Sequence, residues 1–374
     1  MQVPVVLALR ALGLGDGLAG VAVLRGLRRA FPDHRVVLAA PDGIGGFLHR
    51  RGIVDEVLAT AELTALTPQS WARSHDRPPE IAVDLHGCGP ASHRVLQALR
   101  PGRLVAWHCP AAGHHSGPVH RLHEQEVLRW CRLVASAGGS CGPDDLWLDL
   151  VDLPLSTVGA GHVVVHPGAA SRSRRWPAVR FAAVAAALAD AGHRVVVTGS
   201  PTERELAATV TPPGGADLSG HLDLDGLAAV VAAASLVISG DTGVAHLATA
   251  YRVRSVLLFG PTPPAWWGPA VDLGLHTVLW HGPRLDPAGY RGDPHGADLD
   301  PALQLISVGE VLAAAGRLPA IGREVARGVG HHGARGVGHG VGHGVGHAVG
   351  QGVGQGVGQG VGIPPVTDSV SPVT

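Results

Sequence analysis

Along most of this chain one unit recurs: a short apolar run, a loop of glycine and polar residues, then a stretch with helical spacing. Apolar runs at residues 3–9, 35–39 and 80–84 read as strands, while 18–30 aligns Leu18, Val21, Leu24 and Leu27 on one helix face. A further helix is predicted around 124–135, before a glycine-rich break. The pattern then restarts, with strands at 162–165, 193–198, 236–239 and 254–259 and helices at 177–191, 225–234, 244–250 and 307–315. Strands this apolar are buried on both faces, which calls for parallel sheets with helices on either side. Two such runs, meeting near 145–160, predict an α/β chain of two Rossmann-like domains facing a central cleft. The expected division is 1–152, 153–320 and a tail at 321–374. Open parallel sheets bind ligands at the carboxyl ends of their strands. The loops to inspect are therefore 10–17, 84–90, 166–175, 199–203, 239–243 and 260–264.

Composition removes several classes of function. The 374 residues exceed what one core organises, and 45% apolar residues suffice for two. Basic and acidic groups nearly cancel, 29 against 30, which excludes a nucleic-acid binder relying on a basic surface. Every basic residue is Arg, so Schiff-base and P-loop lysine chemistry are excluded. Cys88, Cys109, Cys131 and Cys141 form no Cys-x-x-Cys pair, so neither a disulfide framework nor a zinc ribbon is expected. Reduced thiols and the lack of an export signal point to a cytoplasmic protein. The longest apolar stretch, 226–240, is too short to cross a bilayer.

Residues 328–362 repeat Gly-Val-Gly-His and then Gly-Val-Gly-Gln. Burial cannot offset the ordering entropy of such a segment, so a disordered low-complexity tail is expected. His339, His343 and His347 recur every four residues, but glycine opposes the helix that would align them, leaving only opportunistic Ni²⁺ or Zn²⁺ binding. His108, His114, His115, His120 and His123 have no regular zinc spacing and read as a polar loop, so no metal site is expected.

Three loops carry chemistry. In the first, Gly15-x-Gly17-x-x-Gly20 matches the dinucleotide fingerprint, with Asp42 where a ribose-binding acid would lie. Asp16 lies inside that turn, where its charge would repel a pyrophosphate; a base that accepts a proton, or a helix N-cap, suits it better. The second, 166–177, sets Ser171 among Arg172, Arg174 and Arg175 before a helix, which makes either an anion site or a solvated basic turn. The third, 239–246, is a strand–turn–helix junction. There Thr242 and Gly243 offer donors to a phosphate, Asp241 binds sugar hydroxyls or caps the helix, and His246 faces the cleft or packs in the core. Trp266 and Trp267 either line a sugar subsite or cover the hinge.

Taken in order, these pieces resemble the heptosyltransferase family, glycosyltransferase family nine, with its GT-B architecture. The resemblance covers roughly residues 1–318. It rests on Leu14-Gly15-Asp16 with Val23-Leu24-Arg25-Gly26-Leu27-Arg28, Asp84-Leu85-His86-Gly87 and His166-Pro167-Gly168 with Arg174-Arg175-Trp176-Pro177. Asp241-Thr242-Gly243-Val244-Ala245-His246 and Phe259-Gly260-Pro261-Thr262 complete it. The resemblance implies an acceptor-binding first half and a nucleotide-sugar-binding second half, with ADP-heptose the usual donor. It makes Asp16 the general base, with Gly15, Asp84 and His86 on the acceptor side. Arg174 falls where the family often carries a Lys on the donor phosphates, and Ser171 lies in the same loop. Glu203 matches a ribose-binding acid, Leu222 an adenine contact, and Asp241, Thr242, Gly243 and His246 the sugar–phosphate loop.

The implied reaction is inverting, metal-independent sugar transfer to a glycan or glycolipid acceptor, such as a lipopolysaccharide core, with no cofactor beyond the nucleotide sugar. A monomer is expected, cytoplasmic and with peripheral contact at the inner face of the membrane. Three alternatives stand beside it: a related GT-B epimerase, an NAD(P)-dependent oxidoreductase built on Gly15-x-Gly17-x-x-Gly20, and a non-catalytic binder whose tail sequesters metal. For the tail, deletion of residues 328–374 should leave melting temperature and transfer rate nearly unchanged. A large loss of either would show that it docks on the body.

Overall fold

The computed structural model describes residues 3–151 and 153–317. The expected tail, with its repeat and its histidines, lies outside the described residues.

The first sheet has five parallel strands, β1 (Val5–Leu9), β2 (Arg35–Ala40), β3 (Glu56–Ala59), β4 (Ile81–Asp84) and β5 (Arg103–Val105), in the order β3-β2-β1-β4-β5. Strand β1 is central, with Val6 opposite both Val36 and Ile81. Its side chains alternate between two apolar layers. Val6 and Ala8 join Leu24 and Leu27 on one face, and Leu7 and Leu9 join Val37 and Leu96 on the other. The helices around this sheet are α1 (Leu14–Ala19), α2 (Val21–Ala30), α3 (Asp42–Arg50), α4 (Pro68–Ala72), α5 (Ala91–Ala98) and α6 (Glu126–Ser136).

The second sheet has six parallel strands in the order β11-β10-β9-β6-β7-β8. They are β6 (Val163–His166), β7 (Val195–Val197), β8 (Ala216–Asp217), β9 (Leu236–Gly240), β10 (Ser255–Leu258) and β11 (His276–Leu279). Helices α7 (Ala178–Asp190), α8 (Arg204–Val210), α9 (Leu224–Ala232), α10 (Gly243–Ala250) and α11 (Pro264–Trp267) accompany it, and a last helix covers Val308–Arg317. These are the two parallel-sheet domains that the alternating pattern predicts.

The expected single helix at 18–30 is two helices that meet at Gly20, where a Cβ would lie 3.0 Å from the Arg10 side chain. Helix α1 starts at Leu14 with Gly13 as its N-cap, so Asp16 sits in the first turn and is not the cap. Helix α3 has too many glycines to stand out in the sequence. It forms because Ile44, Phe47 and Leu48 are buried and Gly45 lets it close on Val57 of β3. The two halves meet where Arg50 and Arg51 bind Asp225 at 2.5 and 2.8 Å. Asp223 caps α9 through the Gly226 N–H at 2.8 Å.

Candidate active site

Arg10 follows β1 directly, and although it reads as the polar end of an apolar run it is only 2% exposed. A guanidinium this deep must find acceptors for its donors. Its Nε donates to the Asp16 carbonyl at 2.5 Å, one Nη to the Leu85 carbonyl at 2.5 Å, and the other to Glu126 Oε1 at 3.1 Å. That second Nη lies 3.7 Å from Asp16 Oδ1. Asp16 is thus anchored through its backbone, while its side chain keeps 30% exposure and faces a cleft of about 820 Å³ between the two sheets. Burial raises its proton affinity above the ordinary carboxylate level, against the opposing pull of Arg10 and with a contribution from Glu126. A carboxylate so placed is suited to take a proton.

The second domain supplies the facing wall. Arg174, at the end of a tight turn over Arg172–Arg174, donates to the Asp241 carbonyl at 3.2 Å, and its Nε is buried without a partner. Thr242 is the N-cap of α10, yet its hydroxyl makes no capping bond and is likewise buried without a partner. With the open N–H groups of the first turn of α10, these donors form a site for an anion. Burial pushes the Asp241 carboxyl up to about 6, opposed by Arg174 and reinforced by the charge of Asp16. Burial also pushes the His246 imidazole down to about 4, so the ring is neutral at pH 7. Leu222 and Glu203 line the far end of the cleft. Glu203 accepts from Ser200 N and Oγ, both at 2.8 Å, and its carboxylate fills the space where any side chain on Gly168 would stand.

Glycine brings the two walls together. A Cβ on Gly15 would lie 2.9 Å from His246 Cδ2, and one on Gly243 would lie 2.7 Å from Leu14 Cγ. Gly15 is therefore a contact between α1 and α10 as well as part of the cleft lining. The three fingerprint glycines are all spent on packing, Gly15 on His246, Gly17 on Ile44 and Gly20 on Arg10. Of the three, Gly15 also lines the cleft.

Three expected site residues are not among those lining the cleft. Ser171 is not among the residues lining the cleft, where Ala169, Ala170 and Arg174 stand instead; its carbonyl accepts the Arg174 N–H at 3.2 Å. Asp84 is fully buried, bound to His93 Nδ1 at 2.7 Å and to the His86 N–H at 2.9 Å, so it braces the loop from behind and does not face an acceptor. His86 is half-buried behind Asp16 and Arg10, and burial lowers its proton affinity. The histidines of 108–123 pack against rings: His108 on His115, His114 on His93, His120 on Trp107 and His123 on Trp266. Trp266, Trp267, Arg291 and His295 line the cleft mouth, the last two from a loop that carries no strand–helix signal. Arg10 and Glu126 are further residues that pattern reading passes over.

Residues 145–282 match the family model of glycosyltransferase family 9 (heptosyltransferase). Over 125 residues the chain is 34% identical to lipopolysaccharide heptosyltransferase 3 of Escherichia coli, a stretch that is 32% of this chain and 36% of that protein. The match thus spans about a third of the length of that curated relative. The fold is similar to that of a glycosyl transferase family 9 protein from Veillonella parvula, with a TM-score of 0.68 at 18% identity over 85% of this chain and 98% of that one. It is also similar to the E. coli ADP-heptose lps heptosyltransferase II, with a TM-score of 0.66 at 20% identity over 84% and 98%. The family match thus lies over the second domain, and the fold of both domains is similar to that of family 9 proteins.

Proposed function

We propose that the protein is an inverting glycosyltransferase that moves a sugar, a heptose from an ADP-linked donor, to a hydroxyl of a lipopolysaccharide-type glycolipid. The observation that carries this reading is the cleft itself. A proton-accepting carboxylate on one domain faces a cationic, helix-capped anion site on the other. In the proposed step Asp16 takes the proton of the acceptor hydroxyl as its oxygen attacks the anomeric carbon. The bond from that carbon to the diphosphate breaks on the opposite face, and ADP leaves with the electron pair. Arg174, the Thr242 hydroxyl and the first N–H groups of α10 hold the departing charge, a role that divalent cations play in other transferases. Asp241 and His246 orient the sugar, and Glu203 and Leu222 hold the nucleoside.

The name of the E. coli relative, an ADP-heptose enzyme, supports the donor class. The domains follow as proposals too, with residues 1–152 for the acceptor, 153–320 for the donor and 321–374 as a tail. A monomer working in the cytoplasm at the inner membrane face is part of the same reading.

Thermal stabilisation by ADP, UDP, GDP, NAD and Ni²⁺ tests it, since a ligand that binds only the folded state raises the melting temperature. ADP should give the largest shift. A response to NAD alone would sink the proposal. Arg174→Ala should weaken ADP binding, measured by calorimetry, by about 1.5–3 kcal/mol, the scale of hydrogen bonds to charged groups. Unchanged affinity would move the phosphate site to Arg172, because Arg175 is already committed to the Ala169 carbonyl at 2.8 Å.

A further inference from the structure

Glu126 opens helix α6, and at 4% exposure it is one of the most buried carboxylates outside the cleft lining. Its Oε1 accepts from Trp130 Nε1 at 2.6 Å and from Arg10 at 3.1 Å, and its Oε2 accepts from Arg129 at 2.5 Å. Arg129 in turn donates to the Arg121, Leu122 and Glu124 carbonyls, so its geometry is locked. Arg10 is therefore contested. It bonds Glu126 at 3.1 Å and stands further from Asp16 Oδ1, at 3.7 Å. A lone buried guanidinium beside Asp16 would hold the carboxylate in a tight pair and make it a poor base, because reactivity follows proton affinity.

We propose that Glu126 is a positioning residue for sugar transfer: by drawing the Arg10 guanidinium to itself, it keeps the Arg10–Asp16 pair at 3.7 Å, short of a hydrogen bond, and leaves the Asp16 oxygen free for the acceptor. The proposal rests on Asp16 being the base. Electrostatics agree with the geometry, since Glu126 raises and Arg10 lowers the proton affinity of Asp16. The other groups felt across this site are Arg174, Asp241 and His246 from the donor wall, His86 from the loop after β4, and His120 beside Glu126 and Arg129. None of them is substituted below, but Arg10 acts on His86 and His246 and Glu126 on His246, so the limb is assigned to Asp16 by its loss in Asp16→Asn.

The test is the pH profile of kcat/KM for the full chain with ADP-heptose and a lipopolysaccharide-core acceptor. Glu126→Gln removes the competing charge and lets Arg10 turn to Asp16. The acid limb should move down by about one pH unit, the low end for a carboxylate gaining a cation, and the plateau should fall several-fold. Arg10→Gln should move the same limb up. A merely structural defect would lower the rate in both without opposite displacements. Glu126→Asp keeps the charge and should bring the limb back toward wild type. If Glu126→Gln no longer binds ADP, the double variant Glu126→Gln, Arg129→Met removes the buried pair together, a change that folds often tolerate, and should show the same downward limb. A limb unmoved in the Glu126 variants, or displaced as in Arg10→Gln, overturns the proposal. Asp16→Asn, run alongside, separates the two claims. If that variant turns over normally the base assignment fails; if it is inactive while the Glu126 limb stays put, only the role of Glu126 fails.

Discussion

Asp16→Asn should lower the transfer rate by about two to four orders of magnitude, the usual worth of a positioned general base. Asn matches Asp in size but cannot take a proton at neutral pH. Because Gly13 is the cap of α1, the change removes a favourable charge from its first turn, and Arg10 keeps Glu126 as its counter-charge. That costs about 0.3–1 kcal/mol, so the melting temperature should barely move. ADP affinity should also hold, since Arg174, Thr242 and the start of α10 lie on the other wall. In the wild type the rate should fall with acidity at a pH above the ordinary carboxylate value of 3.8, because burial raises Asp16. Near-normal transfer by Asp16→Asn would end the mechanism. His86 would then be the next candidate, and not Asp84, whose oxygens are committed inside the fold.

Asp84→Ala should be among the most destabilising single changes. His93 is fully buried, with Nδ1 2.7 Å from Asp84 Oδ2 and Nε2 2.9 Å from the Trp107 carbonyl. Both partners accept only, so both ring nitrogens carry protons and the ring is an imidazolium. Burial works against that charge, but the Asp84 and Trp107 bonds outweigh it and raise the proton affinity of His93. Removing one member of such a pair leaves an uncompensated charge and costs about 3–5 kcal/mol. Because the folded-state pKa is raised, the stabilisation is fully present below the unfolded value of 6.5 and is lost as pH rises through the folded value. Melting temperature against pH should show that decline in the wild type and a flatter course in Asp84→Ala. Equal slopes would show that the pair does not carry the charge assigned to it.

Strand-end loops were readable because period and composition change together there: an apolar run such as Val163–His166 gives way to Pro167 and Gly168, and the helix follows. The donor wall is legible for that reason, since Arg174, Asp241, Thr242, Gly243 and His246 come from two such junctions. The partners of Asp16 were not. Arg10 and Glu126 lie 116 positions apart, and only closure of α6 over β1 brings them together. Asp84 looked like a site acid because it ends a strand, and nothing local says that His93 claims it. Ser171 lies in the same loop as Arg174 but is not among the residues lining the cleft. Arg291 and His295 reach the cleft from a loop whose path depends on contacts of Gly292 with Pro261 and of Tyr290 with Asp300, which no local pattern reveals.

The contact of α1 with α10 through Gly15 and Gly243 has a mechanical consequence. Each glycine receives a side chain of the other helix, His246 against Gly15 and Leu14 against Gly243, so the helix that holds the base and the helix that caps the anion site fit with no room to spare. A larger residue at either glycine would act as a shim. It would widen the gap that the transferred sugar has to bridge, and lengthen the path from acceptor oxygen to anomeric carbon without touching any group that performs the reaction.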